Sequence, residues 1–339
     1  MYIANNRHKN YISIWLAFMF CIISLMIIIG GATRLTDSGL SITKWELFKG
    51  FLPPFTKLEW ENYFDQYKLI PEFTQQNYSM TLEEFKVIFW WEWIHRFLGR
   101  VIGISFIVPL IFFSLKVGFK NLTNLYLIFI LICFQGLIGW YMVQSGLTER
   151  LDVSHYRLSL HLVIAFVILS LVFWNFLNTK NLHLPKKKIN QYLPILFLFL
   201  LFCQIILGAF VSGMDAGKIY NTWPLMGLNY YPDDNTIKNL ININSFNEPS
   251  IVQFLHRNLA YVILLFYLFI LIKIYRNKYS ALYFIINLIG FFLLIQIFLG
   301  ILTLISGVKI VYASLHQISS IFLVSSSLYL LYLNVQKQS

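Results

Sequence analysis

Charge is what this chain has least of. Only 12% of its 339 residues are Asp, Glu, Lys or Arg, against 58% hydrophobic, about half the charged share of an ordinary soluble domain. With a mean hydropathy of +0.66, that excludes a water-soluble enzyme of any common class. Cysteine is scarce as well. Cys21, Cys133 and Cys203 all fall in apolar runs and no loop between runs holds one, so a disulfide framework is excluded and the three read as small apolar core residues. What is present is length in apolar runs. A membrane-crossing helix needs about 20 apolar residues, and eight such runs can be read, at 12–32, 88–114, 122–145, 156–177, 193–213, 251–273, 281–304 and 311–333. They leave room for one or two sizeable loops and for no separate soluble domain. The first run ends in Gly30-Gly31-Ala32-Thr33-Arg34 with seven more behind it, which favours a retained helix over a cleaved signal peptide.

One side of the membrane lacks acidic residues entirely. With an even number of spans both termini share a side. That side carries Arg7, Lys9, Lys116, Lys120, Lys180, Lys186, Lys187, Lys188, Lys273, Arg276, Lys278 and Lys337 and no Asp or Glu. Basic residues in short loops mark the cytoplasmic face. The expectation is a bacterial inner (plasma) membrane protein, both termini cytoplasmic, with the large loops 34–87 and 214–250 in the periplasm. The net charge of +11 is then a matter of topology and calls for membrane lipid and for no nucleic acid.

An internal repeat organises the chain. Gly31-Ala32, Asp37-Ser38-Gly39 and Trp45 match Gly208-Ala209, Asp215-Ala216-Gly217 and Trp223. Glu92-Trp93-Ile94-His95-Arg96 matches Gln253-Phe254-Leu255-His256-Arg257. Gln135-Gly136-Leu137-Ile138-Gly139 matches Gln296-Ile297-Phe298-Leu299-Gly300, and Ser159-Leu160-His161 matches Ser314-Leu315-His316. The expected fold is an all-α polytopic membrane protein, its eight transmembrane helices forming two pseudo-twofold-related four-helix bundles. The halves are 1–177 and 193–339, joined by a cytoplasmic linker, 178–192, that contains Pro185 and three lysines. Loop 34–87 is long enough to suggest a functional cap, broken by Pro53-Pro54, with 82–86 reading as a short helix at the interface.

Four of the seven histidines lie inside spans and repeat as two pairs, His95 with His161 and His256 with His316. Ionisable groups within a membrane are functional candidates. Two neutral imidazoles facing one another across a bundle suit a six-coordinate haem iron, whose flat macrocycle fits between helices. Zinc competes, but wants four ligands, or three and a water. Small residues (Gly99, Gly103, Ala260, Ser159, Ser314) would admit a porphyrin, and Arg96, Arg157 and Arg257 stand where propionates would need partners. The pairs differ at one point: Glu92 lies three residues before His95, on the same helix face, and its counterpart is Gln253. Either Glu92 simply pairs with Arg96, or the N-terminal site does chemistry while the C-terminal site holds a permanent haem.

Beyond spacing, the residues carry a resemblance. Thr33-Arg34-Leu35-Thr36-Asp37-Ser38-Gly39-Leu40-Ser41, Tyr67-Lys68-Leu69-Ile70-Pro71-Glu72, Glu84-Phe85-Lys86-Val87-Ile88-Phe89 and Glu92-Trp93-Ile94-His95-Arg96 resemble the heme A synthase family, in its mitochondrial and alphaproteobacterial branch. The likeness covers nearly the whole chain. It implies an oxidoreductase that converts the substrate heme O to heme A by oxidising a porphyrin methyl to a formyl group through hydroxylated intermediates. It further implies haem b as cofactor on His256 and His316 with Arg257 near a propionate. His95, His161, Arg96 and Arg157 would surround the substrate haem, and Glu92 would be the catalytic carboxylate. Heme O synthase and cytochrome oxidase assembly factors are the partners it implies. Family members with a cysteine pair in the first outer loop differ from this chain, whose loop 34–87 has none. From the residues alone, a quinone-linked membrane cytochrome carrying two b haems remains a rival. So does a secondary transporter, which also uses parallel repeats, although acidic residues are missing from the span centres.

Overall fold

The helices start where capping chemistry permits. Thr56 and Thr81 each accept a hydrogen bond from the backbone three residues on, while Glu59 and Glu84 reach back to the cap, two complete capping boxes. The computed structural model describes residues 6–45, 49–149 and 152–336. Its principal elements are α1 (Asn6–Leu35), α2 (Lys57–Tyr67), α3 (Pro71–Gln75), α4 (Leu82–Val117), α5 (Thr123–Glu149), α6 (His155–Asn178), α7 (Tyr192–Gly213), α8 (Pro249–Arg276), α9 (Tyr283–Ile305) and α10 (Ile310–Val335). Among the described residues, eight helices are long and apolar enough to cross a membrane, all but α2 and α3, and no β-strand forms, only an isolated bridge between Met226 and Asn229. The class is all-α and polytopic. Lys337 and the side chain of Arg7, counted above toward the charge bias, lie outside the described part.

Two sequence expectations change. Residues 82–86 are not a separate interfacial helix: no Gly or Pro falls between the Thr81 cap and Gly99, so they form the first turn of α4, which runs on to Val117 with Pro109 inside it. Loop 34–87, expected as a cap, contains α2 and α3. Cys21 and Cys133 are exposed on their helices and so are not core residues.

The chain divides into two compact units, Met1–Ile168 and Leu169–Ser339, the division falling inside α6. In the first, α1 lies along α4, fixed at one end by Trp15 Nε1 donating to the Ser105 carbonyl at 3.0 Å and at the other by Thr33 Oγ1 donating to the Trp91 carbonyl at 3.3 Å. A cap packs over the start of α4, with Phe64, Tyr67, Phe85 and Phe89 buried together alongside Leu40 and Ile42. Inside this apolar cap sits Glu72, 4% exposed, accepting from the Tyr67 hydroxyl at 3.1 Å, while Asn77 Nδ2 donates to that hydroxyl at 2.8 Å. Burial raises the Glu72 carboxyl first. The Tyr67 hydroxyl pulls it partly back, the charges of Glu92, Asp152 and Asp37 raise it further, and the result is about 8 against an ordinary 4.5.

In the second unit α7 packs on α8 and α10, and α9 on α10. The hydroxyls of Ser326 and Ser327 are satisfied by the Leu323 carbonyl one turn back. Asn334 Oδ1 accepts from the Ile189 amide at 3.0 Å, tying the linker to the end of α10. The turns after α1 and α7 are alike: Asp37 and Asp215 both take left-handed backbone, φ 48° and 50°, and each pairs with a nearby base, Arg34 and Lys218.

Candidate functional site

Each histidine of the two pairs rests on a glycine of the helix beside it. A Cβ built on Gly30 of α1 would stand 2.8 Å from His95 Cε1. On Gly139 of α5 it would stand 3.1 Å from His161 Cε1, on Gly208 of α7 3.2 Å from His256 Cε1, and on Gly300 of α9 3.1 Å from His316 Cε1. The contact at Gly30 is shorter than real Cβ atoms make, and the other three are tighter than nine in ten of them, so a side chain at these positions would press the imidazole aside, by a few tenths of an ångström at the latter three. Small residues let helix backbones approach closely in a membrane; here that approach locks a ring. The motif is a helical hairpin with glycine on one arm and histidine on the other, and it occurs four times. The reading of the sequence missed it, choosing Gly99 and Gly103, where a built Cβ would meet Met26 Cε at 3.5 Å and no side chain within 4 Å, respectively. It also paired Gly31 with Gly208; the residue in the place of Gly208 is Gly30. The signal was available in the constant Asp37–Trp45 and Asp215–Trp223 spacing, which aligns Gly30 with Gly208.

Within the first unit the His95 and His161 rings lie 6.4 Å apart, centre to centre, with planes inclined by 27°. A metal–imidazole bond of about 2 Å on each side, with the offset of each nitrogen from its ring centre, puts two rings sharing one iron about 6 Å apart. The Nδ1 atoms of His95, His161 and His256 are buried without a hydrogen-bond partner, while His316 Nδ1 lies 3.0 Å from the Gln296 carbonyl. That last bond places the proton on Nδ1 and leaves Nε2 to ligate. Among the described residues no three of His, Cys, Asp and Glu gather as a metal cluster, so the zinc donor set is not assembled there. Two imidazoles are the protein's whole share of a haem iron, whose other four ligands are the porphyrin's. The donor set, the spacing and the unpartnered ring nitrogens fit haem.

At the outer rim, Glu92 is 3% exposed and ringed by donors. Oε2 accepts from Ser41 Oγ and the Ile42 amide, each at 2.7 Å; Oε1 accepts from Arg96 Nη2 at 2.6 Å and Nε at 3.0 Å. Arg96 also donates to the Ile42 and Lys44 carbonyls and lies over the Trp45 ring. The second unit repeats this with a neutral group: Gln253 Nε2 and Arg257 Nη2 both donate to the Tyr220 carbonyl, at 3.0 and 2.9 Å. In both units, then, this residue pair staples the segment after the first helix across the mouth of the site. Arg96 and Arg257 are thereby committed largely to loop carbonyls. Arg157 instead lies over Tyr141 and donates to its hydroxyl at 3.2 Å. Depth differs among the four histidines. His161, His256 and His316 lie about two turns into their helices, whereas His95 is nearer four turns into α4, because α4 begins early.

The cytochrome oxidase assembly protein family model (COX15-CtaA) matches residues 13–328. The chain is 48% identical over 336 residues to a heme A synthase of Pelagibacter ubique (strain HTCC1062), covering 98% of this chain and 99% of the relative. It is 42% identical over 319 residues to a heme A synthase of Rickettsia bellii (strain OSU 85-389), covering 92% and 94%. A heme A synthase of Rickettsia prowazekii (strain Madrid E) is 40% identical over 324 residues, covering 94% and 96%.

Proposed function

Because the chain belongs to the cytochrome oxidase assembly protein family, we propose that it is a heme A synthase, an oxidoreductase that takes a methyl group of heme O to the formyl group of heme A by way of a hydroxylated intermediate. The single observation that carries this reading is the first unit's glycine-seated His95–His161 pair, at iron-sharing distance, with a carboxylate one turn away. The paired imidazoles of a rival two-haem cytochrome would be equally at home, but Glu92 in one unit and Gln253 in the other favour two sites with different tasks.

His95 and His161 flank the substrate heme O and fix its plane. Arg157 is placed to meet a propionate at the rim; Arg96 and Arg257 hold the loop segments that close each mouth, and present their remaining donor capacity beside it. Glu92, negatively charged and dry, stabilises positive charge that develops as the methyl carbon is oxidised, and takes part in removing its protons. Ser41, the Ile42 amide and Arg96 keep that carboxylate in one orientation. His256 and His316 hold a resident haem b, which when bound supplies one-electron transfer. The Gln296 carbonyl orients His316 for that task. The basic residues of the short loops orient the protein in an inner membrane with both termini cytoplasmic and the α2–α3 cap periplasmic. A supplier of heme O and the assembling oxidase are the partners this reaction needs.

Expression in a host that makes heme O but no heme A, followed by pigment extraction and mass spectrometry, tests the reading. A formyl-bearing porphyrin is expected. Folded, haem-loaded protein with heme O left unchanged would overturn it.

A further inference from the structure

Arg100 takes no part in the site described above. Five residues after His95, it lies about 140° round α4, turned away from the histidine pair. Ile104, Val108 and Ile111 follow it at helical spacing and are all at least 50% exposed, which in a membrane span means facing lipid. Val117, where α4 ends beside Lys116, is about 25 Å further along the axis, against a hydrocarbon core of about 30 Å. Arg100 therefore sits just inside the cap-side edge of the hydrocarbon, from which a long basic side chain reaches back to headgroup level. Its Nη1 donates to the Gly50 carbonyl at 3.0 Å.

With Lys44, Arg96 and Trp93, Arg100 lines a cleft between α4 and the segment after α1, and Leu52 supplies an apolar wall. Among the described lining residues none is acidic. Glu92 answers the charge of Arg96; Lys44 and Arg100 add two more positive charges. The Trp93 indole N–H is buried without a partner, a donor that an anionic oxygen would satisfy. Leu52 is exposed, and Phe51 packs on Phe97 with ring centres 5.1 Å apart, so apolar surface flanks the charges.

The duplicated unit serves as an internal control. It has a cleft in the same place, lined by Phe254, Arg257 and Tyr261, the counterparts of Trp93, Arg96 and Arg100. The counterpart of Lys44 is Thr222. Of the three cations one is kept. Tyr261 accepts from Trp223 Nε1 at 3.1 Å and Tyr230 donates to Asn258 Oδ1, so neutral hydrogen bonds take up that space. The two extra cations belong to the first unit's cleft alone.

We propose that this cleft binds the phosphate of an anionic phospholipid from the cap-side leaflet. Arg100 and Lys44 meet the phosphate in charge-assisted contacts, and the acyl chains run down α4 over Ile104, Val108 and Ile111. Depth favours lipid over a free anion. Inorganic phosphate would have to leave water for the hydrocarbon edge, whereas a lipid already carries its phosphate there. The inference stands whether or not the proposed reaction does.

Native mass spectrometry of the purified full chain, titrated with phosphatidylglycerol or phosphatidylcholine, tests it. Wild-type protein is expected to retain one phosphatidylglycerol in preference to phosphatidylcholine. Lys44→Gln should weaken that binding about 5-fold, the worth of one basic residue at a membrane surface. Arg100→Gln, deeper and in less water, should weaken it about 10-fold. Should Arg100→Gln not fold, Lys44→Gln decides alone, its side chain being exposed. Weakened binding supports the inference. Wild-type affinity in the deciding variant overturns it, as does phosphatidylcholine bound as tightly as phosphatidylglycerol. Displacement of phosphatidylglycerol by an equal concentration of inorganic phosphate also overturns it, making the cleft a free-anion site.

Discussion

Replacing Glu92 with glutamine separates chemistry from architecture, because Gln253 already shows what the neutral group does in the same place. The carboxylate accepts four hydrogen bonds, two on each oxygen. An amide offers one acceptor oxygen and one NH2, so whichever way it turns, one pair of donors loses its acceptor. Stripping one partner from a buried ion pair costs about 3–5 kcal/mol. The retained oxygen keeps half the set, Ser41 can turn its hydroxyl to accept, and a new bond to the Ile42 carbonyl, copying Gln253 on Tyr220, returns about 1 kcal/mol. The net loss is then about 2–3 kcal/mol, enough to lower yield yet short of a typical total stability of about 5–15 kcal/mol. If Glu92 also acts on substrate, the rate falls by about 10²–10³-fold on top of that. The assay is heme A formed per mole of protein carrying its full low-spin haem, which removes folding yield from the comparison. Heme O or a hydroxylated intermediate should accumulate. Reduced yield with wild-type turnover per loaded molecule would refute a catalytic role and leave Glu92 as the staple of the 41–45 segment.

Replacing His256 or His316 with alanine should abolish the low-spin spectrum of the resident haem b; full haem content with an unchanged spectrum would remove these residues from that role. Gly300→Ala should push the His316 ring aside and alter the low-spin resonance, whereas Gly136→Ala, with nothing within 4 Å of the added carbon, should not; identical spectra from the two would count against the seating geometry. The α2–α3 cap should weaken in alkali. With the Glu72 carboxyl raised to about 8, its contribution is complete below about pH 4.5 and is lost as pH rises through about 8, on the order of 5 kcal/mol in all. Glu72→Gln keeps an acceptor for the Tyr67 hydroxyl and should flatten that dependence in hydrogen exchange over residues 64–89; parallel pH curves for the two proteins would argue against a buried neutral Glu72.

The membrane helices were legible because a lipid solvent leaves few choices: long apolar runs must be helical, and each of the eight runs falls on one of the eight long helices, 122–145 and 281–304 starting one and two residues ahead of theirs. The histidine pairs were legible because duplication wrote them twice. What sequence could not carry was contact between distant positions. Gly30 meets His95 across sixty-odd residues, and only its alignment with Gly208 through the Asp–Trp spacing, not a contact readable from sequence, sets it apart from Gly31. Glu92 and Arg96 were readable as an i, i+4 pair, but not the Ser41 and Ile42 donors that share the carboxylate, because these depend on how the segment after α1 folds back. The cap was expected from loop length, but its two helices were missed, for a different reason. Its helices are short, and they hold together through Phe64, Tyr67, Phe85 and Phe89 packing on one another and on α4, with little periodic signal of their own.

The early start of α4 sets the level at which all this happens. Its first turns carry exposed Glu83 paired with half-buried Lys86, and then come Trp90, Trp91 and Trp93, the residues that gather where headgroups meet hydrocarbon. Glu92 lies among these tryptophans, about 15 Å along the helix from Leu82, and His95 is one turn further in. The carboxylate is thus held at the lip of the bilayer. A proton leaving it reaches water on the cap side without entering the hydrocarbon slab, where each charge crossing would involve about 2.3 kcal/mol per 100 mV of membrane potential. If Glu92 has the proposed role, proton release during turnover is then electrically silent, and the expected outcome is a rate that does not respond to whether the membrane is energised.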